Sequence, residues 1–207
     1  MAAKRDDRDL AELAVLSLLF TGPRHTYEMQ RFLVVAHKDF VTGLPRSLYH
    51  AVDRLTARGS IEPAGAEREP GRPERMNYRL TDRGRTELTH RITTLLETPD
   101  RDANLFIAAL SSMAVLPPSA VIGALENRAA FLENREMALR RATASEHLPR
   151  VLLVEADYEK SLLAHERTWV TTLIDELKTG ALTWPGDPNQ IVFPDGDPLA
   201  QALDGDE

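Results

Sequence analysis

The chain has 207 residues, of which 43% are hydrophobic and none is cysteine. This length accommodates one domain of ordinary size, or a small domain with an accessory one. The composition excludes disulfides and thiolate chemistry, and no apolar run approaches the roughly 20 residues that a membrane-spanning helix requires. Because the first nine residues are polar and charged rather than signal-like, we expect a cytoplasmic protein without a membrane partner.

The charges are divided unevenly along the chain. The formal net charge is −7, which by itself argues against a nucleic-acid-binding protein. Residues 1–98, however, carry 16 basic and 14 acidic side chains, whereas residues 99–207 carry 9 and 18. The first half is therefore compatible with a surface that faces phosphate, while the acidic second half favours solubility.

The first sixty residues show the spacing of three short helices. Apolar residues recur at helical intervals over residues 10–20, and Gly22-Pro23 ends that segment because proline cannot continue a helix. Thr26 is placed to cap a second helix. A third helix is predicted from Pro45, at a first helical position, to Gly59, which closes it as a C-terminal glycine.

The pattern then changes to that of a β-hairpin. Residues 60–66 and 75–80 are predicted to be short strands, and the turn between them is rich in Pro, Gly and Arg. Thr81 is placed to cap a fourth helix that runs to about Thr98, where Pro99 stops it.

The second half of the chain is helical by pattern. Predicted helices span about residues 102–113, 119–143 and 149–179. The tail holds four Pro and no Lys or Arg, and we expect it to be mobile. The predicted fold is mainly α with a small β-hairpin, in three parts: a winged helix-turn-helix domain over 1–98, a helical dimerisation domain over 99–180 and a flexible acidic tail over 181–207.

Three helices followed by a hairpin is the order of a winged helix-turn-helix, whose third helix enters the major groove of DNA. Arg46 and His50 lie on the outer face of that helix and can donate to base acceptors, while Ser47 and Tyr49 can bond phosphate oxygens. The carboxylate of Asp53 would repel a phosphate group. We therefore expect Asp53 to orient His50 or a neighbouring Arg, or to accept a hydrogen bond from a cytosine amino group. The predicted DNA-binding residues are Thr26, Tyr27, Arg46, Ser47, Tyr49, His50 and Arg54, with Arg68, Arg72 and Arg75 of the wing.

These segments resemble the PadR-like transcriptional regulators. Gly22-Pro23 followed by Thr26-Tyr27-Glu28-Met29 is similar to the family's opening, and Ser47-Leu48-Tyr49 is similar to its recognition helix. The most specific portion runs from Gly71-Arg72-Pro73 to Tyr78-Arg79-Leu80-Thr81 and Gly84, which resembles the wing and its exit. Leu148-Pro149-Arg150 and Glu166-Arg167-Thr168-Trp169 resemble the helical domain of the family's larger subgroup, so the resemblance covers about residues 10–180. Departures at Thr26, Arg46 and His50 concern the DNA sequence that is read rather than the fold.

The resemblance implies a homodimer, joined by C-terminal helices, that binds palindromic double-stranded DNA as a repressor. It also implies release by a small effector, aromatic or drug-like. On the last helix we predict a dimer interface of Leu162, Trp169, Leu173 and Leu177. The residues Phe106, Phe131, Tyr158 and Trp169 are candidates for an effector pocket, or alternatively belong to the core or the dimer seam.

No pattern in the sequence indicates an enzyme. The six histidines show no metal-ligand spacing with one another or with a carboxylate, and there is neither a Gly-rich phosphate loop nor a serine nucleophile elbow. We therefore predict no catalytic residue, no metal and no cofactor. The alternative function is a winged-helix protein-interaction module that has lost DNA binding, which the acidic net charge leaves open.

Overall fold

The structure is a computed structural model that describes residues 3–67, 75–144 and 149–184. In chain order its helices and strands are α1 (Ala3–Phe20), β1 (Arg24–His25), α2 (Thr26–Val35), α3 (Arg46–Ala57), β2 (Ile61–Glu67), β3 (Arg75–Leu80), α4 (Asp82–Glu97), α5 (Ala103–Ser112), α6 (Pro118–Ala142) and α7 (Val154–Thr179). Short 3₁₀ turns occupy Met113–Val115 and Arg150–Leu152. The fold is mainly α with a small antiparallel sheet, as predicted.

The sheet is antiparallel, with the strand order β1-β3-β2. Ile61 of β2 pairs with Leu80 of β3, and Arg24 of β1 pairs with Tyr78 on the other edge of β3. The β2–β3 hairpin confirms the predicted strands to within one residue. The strand β1 was not predicted, because two residues are too few to show an alternating pattern. The turn at 68–74 lies outside the described residues.

Two compact units make up the described chain. The first comprises the residues up to 92 together with 104–115, and the second comprises residues 93–103 and 116–184. The predicted domain bounds, 1–98 and 99–180, differ from this division and stay a prediction. The residues of α5 from Asn104 onwards belong to the first unit, although their helical pattern groups them by sequence with the second half.

The winged-helix part packs around one face of α3. Leu48 and Leu55 of α3 are fully buried, as are Leu13 and Leu16 of α1 and Leu88 of α4. Complete burial of each such side chain stabilises the fold by about 1.5–3 kcal/mol relative to leaving it in water. These buried leucines leave Arg46 and His50 on the opposite, exposed side of α3, which is the outer face that the sequence predicts.

A glycine ends α3, and a histidine side chain caps the start of α2. Gly59 follows α3 at a φ of +71°, and the amide of Ser60 donates to Leu55 O at 2.9 Å, as expected of a C-terminal glycine. The prediction that Thr26 caps α2 is wrong. His25, extended on β1, is the cap: the amide of Tyr27 donates to its Nδ1 at 3.0 Å. Thr26 is instead buried within the first turn.

The second unit is built on the antiparallel pair α6 and α7. Lys178 bonds Glu126 at 2.7 Å near one end of the pair. Between the helices, Arg128 is almost completely buried; its guanidinium donates to Glu166 at 2.7 Å and to the carbonyl of Leu95 at 3.2 Å. Burial lowers the pKa of Arg128, and the neighbouring Glu166 carboxylate opposes that shift. The helix predicted from residue 149 begins at Val154, with Leu153 as its N-cap residue, and the 3₁₀ turn Arg150–Leu152 precedes it.

A buried carboxylate on α1 joins three helices of the first unit. Glu12, whose side chain is 6% exposed, accepts from Arg54 of α3 at 2.5 Å and from Arg58 at 2.7 Å. Arg58 also bonds Glu87 of α4 at 3.1 Å, and Ser60 donates to the same carboxylate at 2.6 Å. Burial raises the pKa of Glu12, but the hydrogen bonds from Arg58 and Arg54 outweigh burial and hold the pKa below its usual value. We call Glu12, Arg54, Arg58 and Glu87 the Glu12 cluster.

Two helical glycines predict opposite responses to alanine. A Cβ at Gly84 of α4 would lie 2.0 Å from Ser60 O, whereas a Cβ at Gly123 of α6 would meet nothing within 4 Å. Gly84→Ala is therefore expected to destabilise the protein by about 1–3 kcal/mol through overpacking. Gly123→Ala is expected to stabilise it by about 0.5–1 kcal/mol through helix propensity. Urea unfolding of both variants measures this, and equal effects would contradict the close approach of α4 to Ser60.

The Glu12 cluster predicts a stability loss that fades in acid. At neutral pH Glu12→Gln is expected to cost about 1–3 kcal/mol, because charged hydrogen bonds to two guanidinium groups are weakened. Stabilisation by the ionised carboxylate is complete above the pKa of the unfolded chain and disappears as the pH falls through the lower folded pKa. Unfolding measured at neutral and acidic pH should therefore show the variant's deficit shrinking in acid.

Glu62→Gln is the matched control for that prediction. Glu62 bonds Arg79 on the surface, where both side chains are about half exposed, and such pairs contribute about 0–1 kcal/mol. A deficit for Glu12→Gln no larger than that of Glu62→Gln would show that the buried cluster does not hold α3.

Candidate nucleic-acid interface

The outer face of α3 carries an exposed stripe of polar residues. Arg46, Tyr49, His50 and Asp53 are all exposed and recur every three or four residues, on the side opposite the buried leucines. Tyr49 is 50% exposed although it is a large aromatic residue. We call these four residues the α3 stripe. It matches the face that the sequence predicts for contact with bases and phosphates.

The start of α2 adds a second exposed aromatic residue. Tyr27 is 47% exposed in the first turn. Its backbone amide is held by the imidazole of His25, whose own amide donates to Glu28 at 3.0 Å. Glu28 therefore anchors the turn that presents Tyr27, a role that the sequence analysis did not assign.

Three predicted contact residues are wholly or partly withdrawn from the surface. Thr26 is buried, and the Oγ of Ser47 is buried without a hydrogen-bond partner. Arg54 points back towards α1, where it pairs with Glu12. The helical spacing predicted their angular position but not these interior partners, so the described surface of α3 is narrower than the predicted one.

The wing is the β2–β3 hairpin, and the structure describes only one of its three predicted DNA-binding arginines. Arg68 and Arg72 lie outside the described residues, and Arg75 is the first residue of β3. Their contribution to a binding surface stays a prediction.

The helix α7 has two apolar faces, where the sequence suggests a single stripe. Leu173 and Leu177 are buried within the second unit, together with Val170 and Ile174. Leu162 and Trp169 are 52% and 45% exposed. These two share an outer face with Val154 and Tyr158, since all four fall within about a quarter of the helix circumference at 100° per residue. We call Val154, Tyr158, Leu162 and Trp169 the α7 outer face.

The predicted effector residues do not share one unit. Phe106 belongs to the first compact unit, whereas Phe131, Tyr158 and Trp169 belong to the second. Phe131 and Tyr158 are large exposed side chains like Trp169. Their exposure agrees with the alternative that they form an interface.

Sequence reasoning missed Glu12, the residue that holds α3. A usable signal was present, because Glu12 is the single charged residue in the mainly apolar run from Leu10 to Phe20. Acids are rarely buried unless paired, and Arg54 of α3 and its C-cap residue Arg58 are spaced four apart, so that both can reach it.

Two kinds of site are not found in the part of the chain that is described. It contains no group of three or more His, Asp or Glu side chains arranged to hold a metal ion. No helix in these ranges is both long and apolar enough to cross a membrane.

The chain is similar to known regulators of transcription. Residues 15–90 match the transcriptional regulator PadR-like family. Bacillus subtilis PadR in complex with operator DNA is 16% identical over 80% of this chain and 98% of that chain, with a TM-score of 0.38. A PadR-like transcriptional regulator of Bacillus cereus is 15% identical over 82% and 99%, with a TM-score of 0.35. No curated protein matches the chain. Residues 15–90 therefore form a domain of the PadR-like family of transcriptional regulators.

Proposed function

We propose that the protein is a dimeric, sequence-specific DNA-binding repressor that inserts α3 into the major groove. The α3 stripe is the observation that carries this proposal. Four polar residues with donor or acceptor groups project from a helix whose other side is locked by buried leucines and by the Glu12 cluster. A groove-reading helix needs this combination, because base recognition requires side chains held in a fixed register.

The residues of the α3 stripe are suited to different parts of the duplex. Arg46 can donate two hydrogen bonds to guanine, and His50 can donate to a base acceptor one turn further along. Asp53 makes no ion pair with Arg54, since that arginine pairs with Glu12. An exposed carboxylate close to phosphates is unfavourable unless it accepts from a base amino group, so Asp53 favours cytosine at its position.

The dimer is supported by the α7 outer face. Monomeric proteins rarely leave a contiguous row of large apolar side chains in water, and such rows mark interaction sites. Leu162 and Trp169 of this face are about half exposed. Closure of two copies about a two-fold axis would cover both faces and present two α3 helices to a palindromic site.

Repression and release by a small effector are supported by the family resemblance. Bacillus subtilis PadR has been observed both with operator DNA and with p-coumaric acid. We propose for this chain a dimer that binds an operator until an effector favours the state that does not bind DNA.

A salt titration tests the proposed function first. Binding to random duplex DNA and to fragments of the protein's own promoter should weaken steeply with salt, because phosphate contacts release counterions. Absence of binding to both at low salt would favour the protein-interaction module instead.

The α3 stripe predicts losses that fall on specific binding. Arg46→Ala and His50→Ala are each expected to cost about 1–3 kcal/mol on operator DNA and much less on random DNA. Asp53→Asn should relax base preference at one position while strengthening binding to random DNA. Binding curves on both DNAs measure this, with the exposed Arg101→Ala and Asp175→Asn as charge-matched controls. Equal losses on both DNAs would show that α3 does not read bases.

The α7 outer face predicts a charge-sensitive dimer. Leu162→Glu should give folded monomers in light scattering, because the side chain is half exposed within the protomer and its loss leaves the protomer core intact. Thr171→Glu places the same charge on the opposite, exposed side of α7 and should leave the dimer unchanged. A Leu162→Glu variant that remains dimeric and folded would contradict the assignment.

A further inference from the structure

A strip of exposed, uncharged side chains runs along the α7 outer face. Its members follow one another at alternating intervals of four and three residues: Tyr158, Leu162, His165, Trp169 and Thr172. At 100° per residue they fall within about 80° of the helix circumference. This alternation is the spacing of a helix that packs lengthwise along a second helix. We call these five residues the α7 strip, and His165 lies at its middle.

The imidazole of His165 has no charged neighbour along its own helix. The positions three and four residues away, which adjoin it on a helix, are all uncharged: Ser161, Leu162, Thr168 and Trp169. The two charged residues that follow it in sequence bond α6 instead. Glu166 is held by Arg128, and Arg167 bonds Glu136 at 3.5 Å. His165 itself forms no hydrogen bond or ion pair within the described ranges.

The other charged groups near the α7 strip are paired or distant. Asp157 bonds Lys160 at 2.8 Å, and Glu159 bonds an arginine of α6 at 2.8 Å. Glu176 lies on the same side of α7 as His165 but about 16 Å further along the helix axis. A proton on His165 therefore meets no carboxylate that would compensate its charge. The neutral imidazole continues the uncharged strip, whereas the imidazolium interrupts it.

Two-fold symmetry brings the two copies of His165 together. A row of uncharged residues at this spacing is complementary to a second copy of itself, and a two-fold dimer uses the same surface of both copies. If two α7 helices pair in parallel about the axis, each residue meets its own copy. If they pair antiparallel and the strips cover each other fully, the middle of one strip meets the middle of the other. Both arrangements place His165 against His165 of the partner subunit.

We propose that His165 makes the dimer sensitive to pH, because two neutral imidazoles pack in its seam and two imidazolium ions separate the protomers. The pH response rests on the proposed function, which supplies the dimer. Histidine side chains in water change their charge at about pH 6.5. Protonation at the seam sets two cations side by side in apolar surroundings, where both burial and repulsion are unfavourable. The dimer is therefore intact above this pH, and it weakens as the pH falls below it.

Sedimentation velocity of the full chain without DNA tests the seam. The dissociation constant of the dimer is measured at about pH 7.5 and about pH 5.5, on either side of histidine titration, and circular dichroism monitors the fold at both. The constant is expected to rise about 10- to 100-fold in acid, the upper value corresponding to one proton excluded from each of two histidines. Equal constants at both pH values would overturn the pH response and leave the proposed dimer intact. A monomer at both pH values would contradict the dimer and the pH response together.

Variants assign the effect to one residue. His165→Leu keeps the seam apolar and should be equally dimeric at both pH values, whereas His165→Lys carries a charge throughout and should be monomeric at both. The side chain is exposed within the protomer, so neither change should disturb its fold. The matched control is His37→Asn, which removes an exposed histidine of the first unit at a φ of +49° that asparagine tolerates. It should retain the pH dependence of the wild type. Persistence of that dependence in His165→Leu, or a stable dimer of His165→Lys, would overturn the assignment.

Protein concentration separates the loss of the dimer from direct effects of acid on DNA contacts. Dissociation should weaken binding to promoter DNA in acid mainly at low protein concentration, because mass action restores the dimer at high concentration. Protonation of His50 on α3 would act equally at all concentrations. Acid weakening that is independent of concentration and unchanged in His165→Leu would overturn the regulatory role. Failure to bind DNA at either pH would instead contradict the proposed function, and sedimentation would still decide the seam.

Discussion

The winged-helix part of this protein depends on one buried carboxylate. Glu12 lies on the packed face of α1, yet it remains ionised because Arg54 of α3 and Arg58, which follows α3, supply the hydrogen bonds that water would otherwise provide. Losing one member of such a cluster leaves a charge buried without its partner, which is costly. The position of α3 relative to α1 is therefore specified by directional bonds as well as by leucine packing.

The same arrangement limits the surface that can meet DNA. An arginine that pairs with Glu12 has part of its charge already neutralised, so α3 presents fewer unpaired cations to a phosphate. Binding would then depend on Arg46 and His50 for base contacts and on the wing for much of the charge. The chain has a net charge of −7, and few cations on α3 are unpaired. This favours sequence-specific over non-specific DNA binding, because non-specific affinity comes almost entirely from phosphate contacts.

The second unit contains an ion pair in which the buried group is the cation rather than the carboxylate. There the buried group is the guanidinium of Arg128, held by Glu166 of α7 and by the carbonyl of Leu95 at the end of α4. An apolar pair of similar volume would often be as stable, so the benefit of such a bridge is register rather than stability. Register matters on α7, because a rotation of that helix would exchange its buried face for the α7 outer face.

The sequence by itself determined the order of the helices and of the β2–β3 hairpin, the outer face of α3 and the relation to PadR-like regulators. These follow from local periodicity, from proline and glycine positions and from short motifs, all of which are encoded by neighbouring residues. Only the tertiary structure decided that His25 rather than Thr26 caps α2, and that Arg54 turns inward to Glu12. It also divided α7 into two apolar faces. Each of these depends on contacts between residues far apart in the chain, and a periodic pattern records which way a side chain points but not what it meets there.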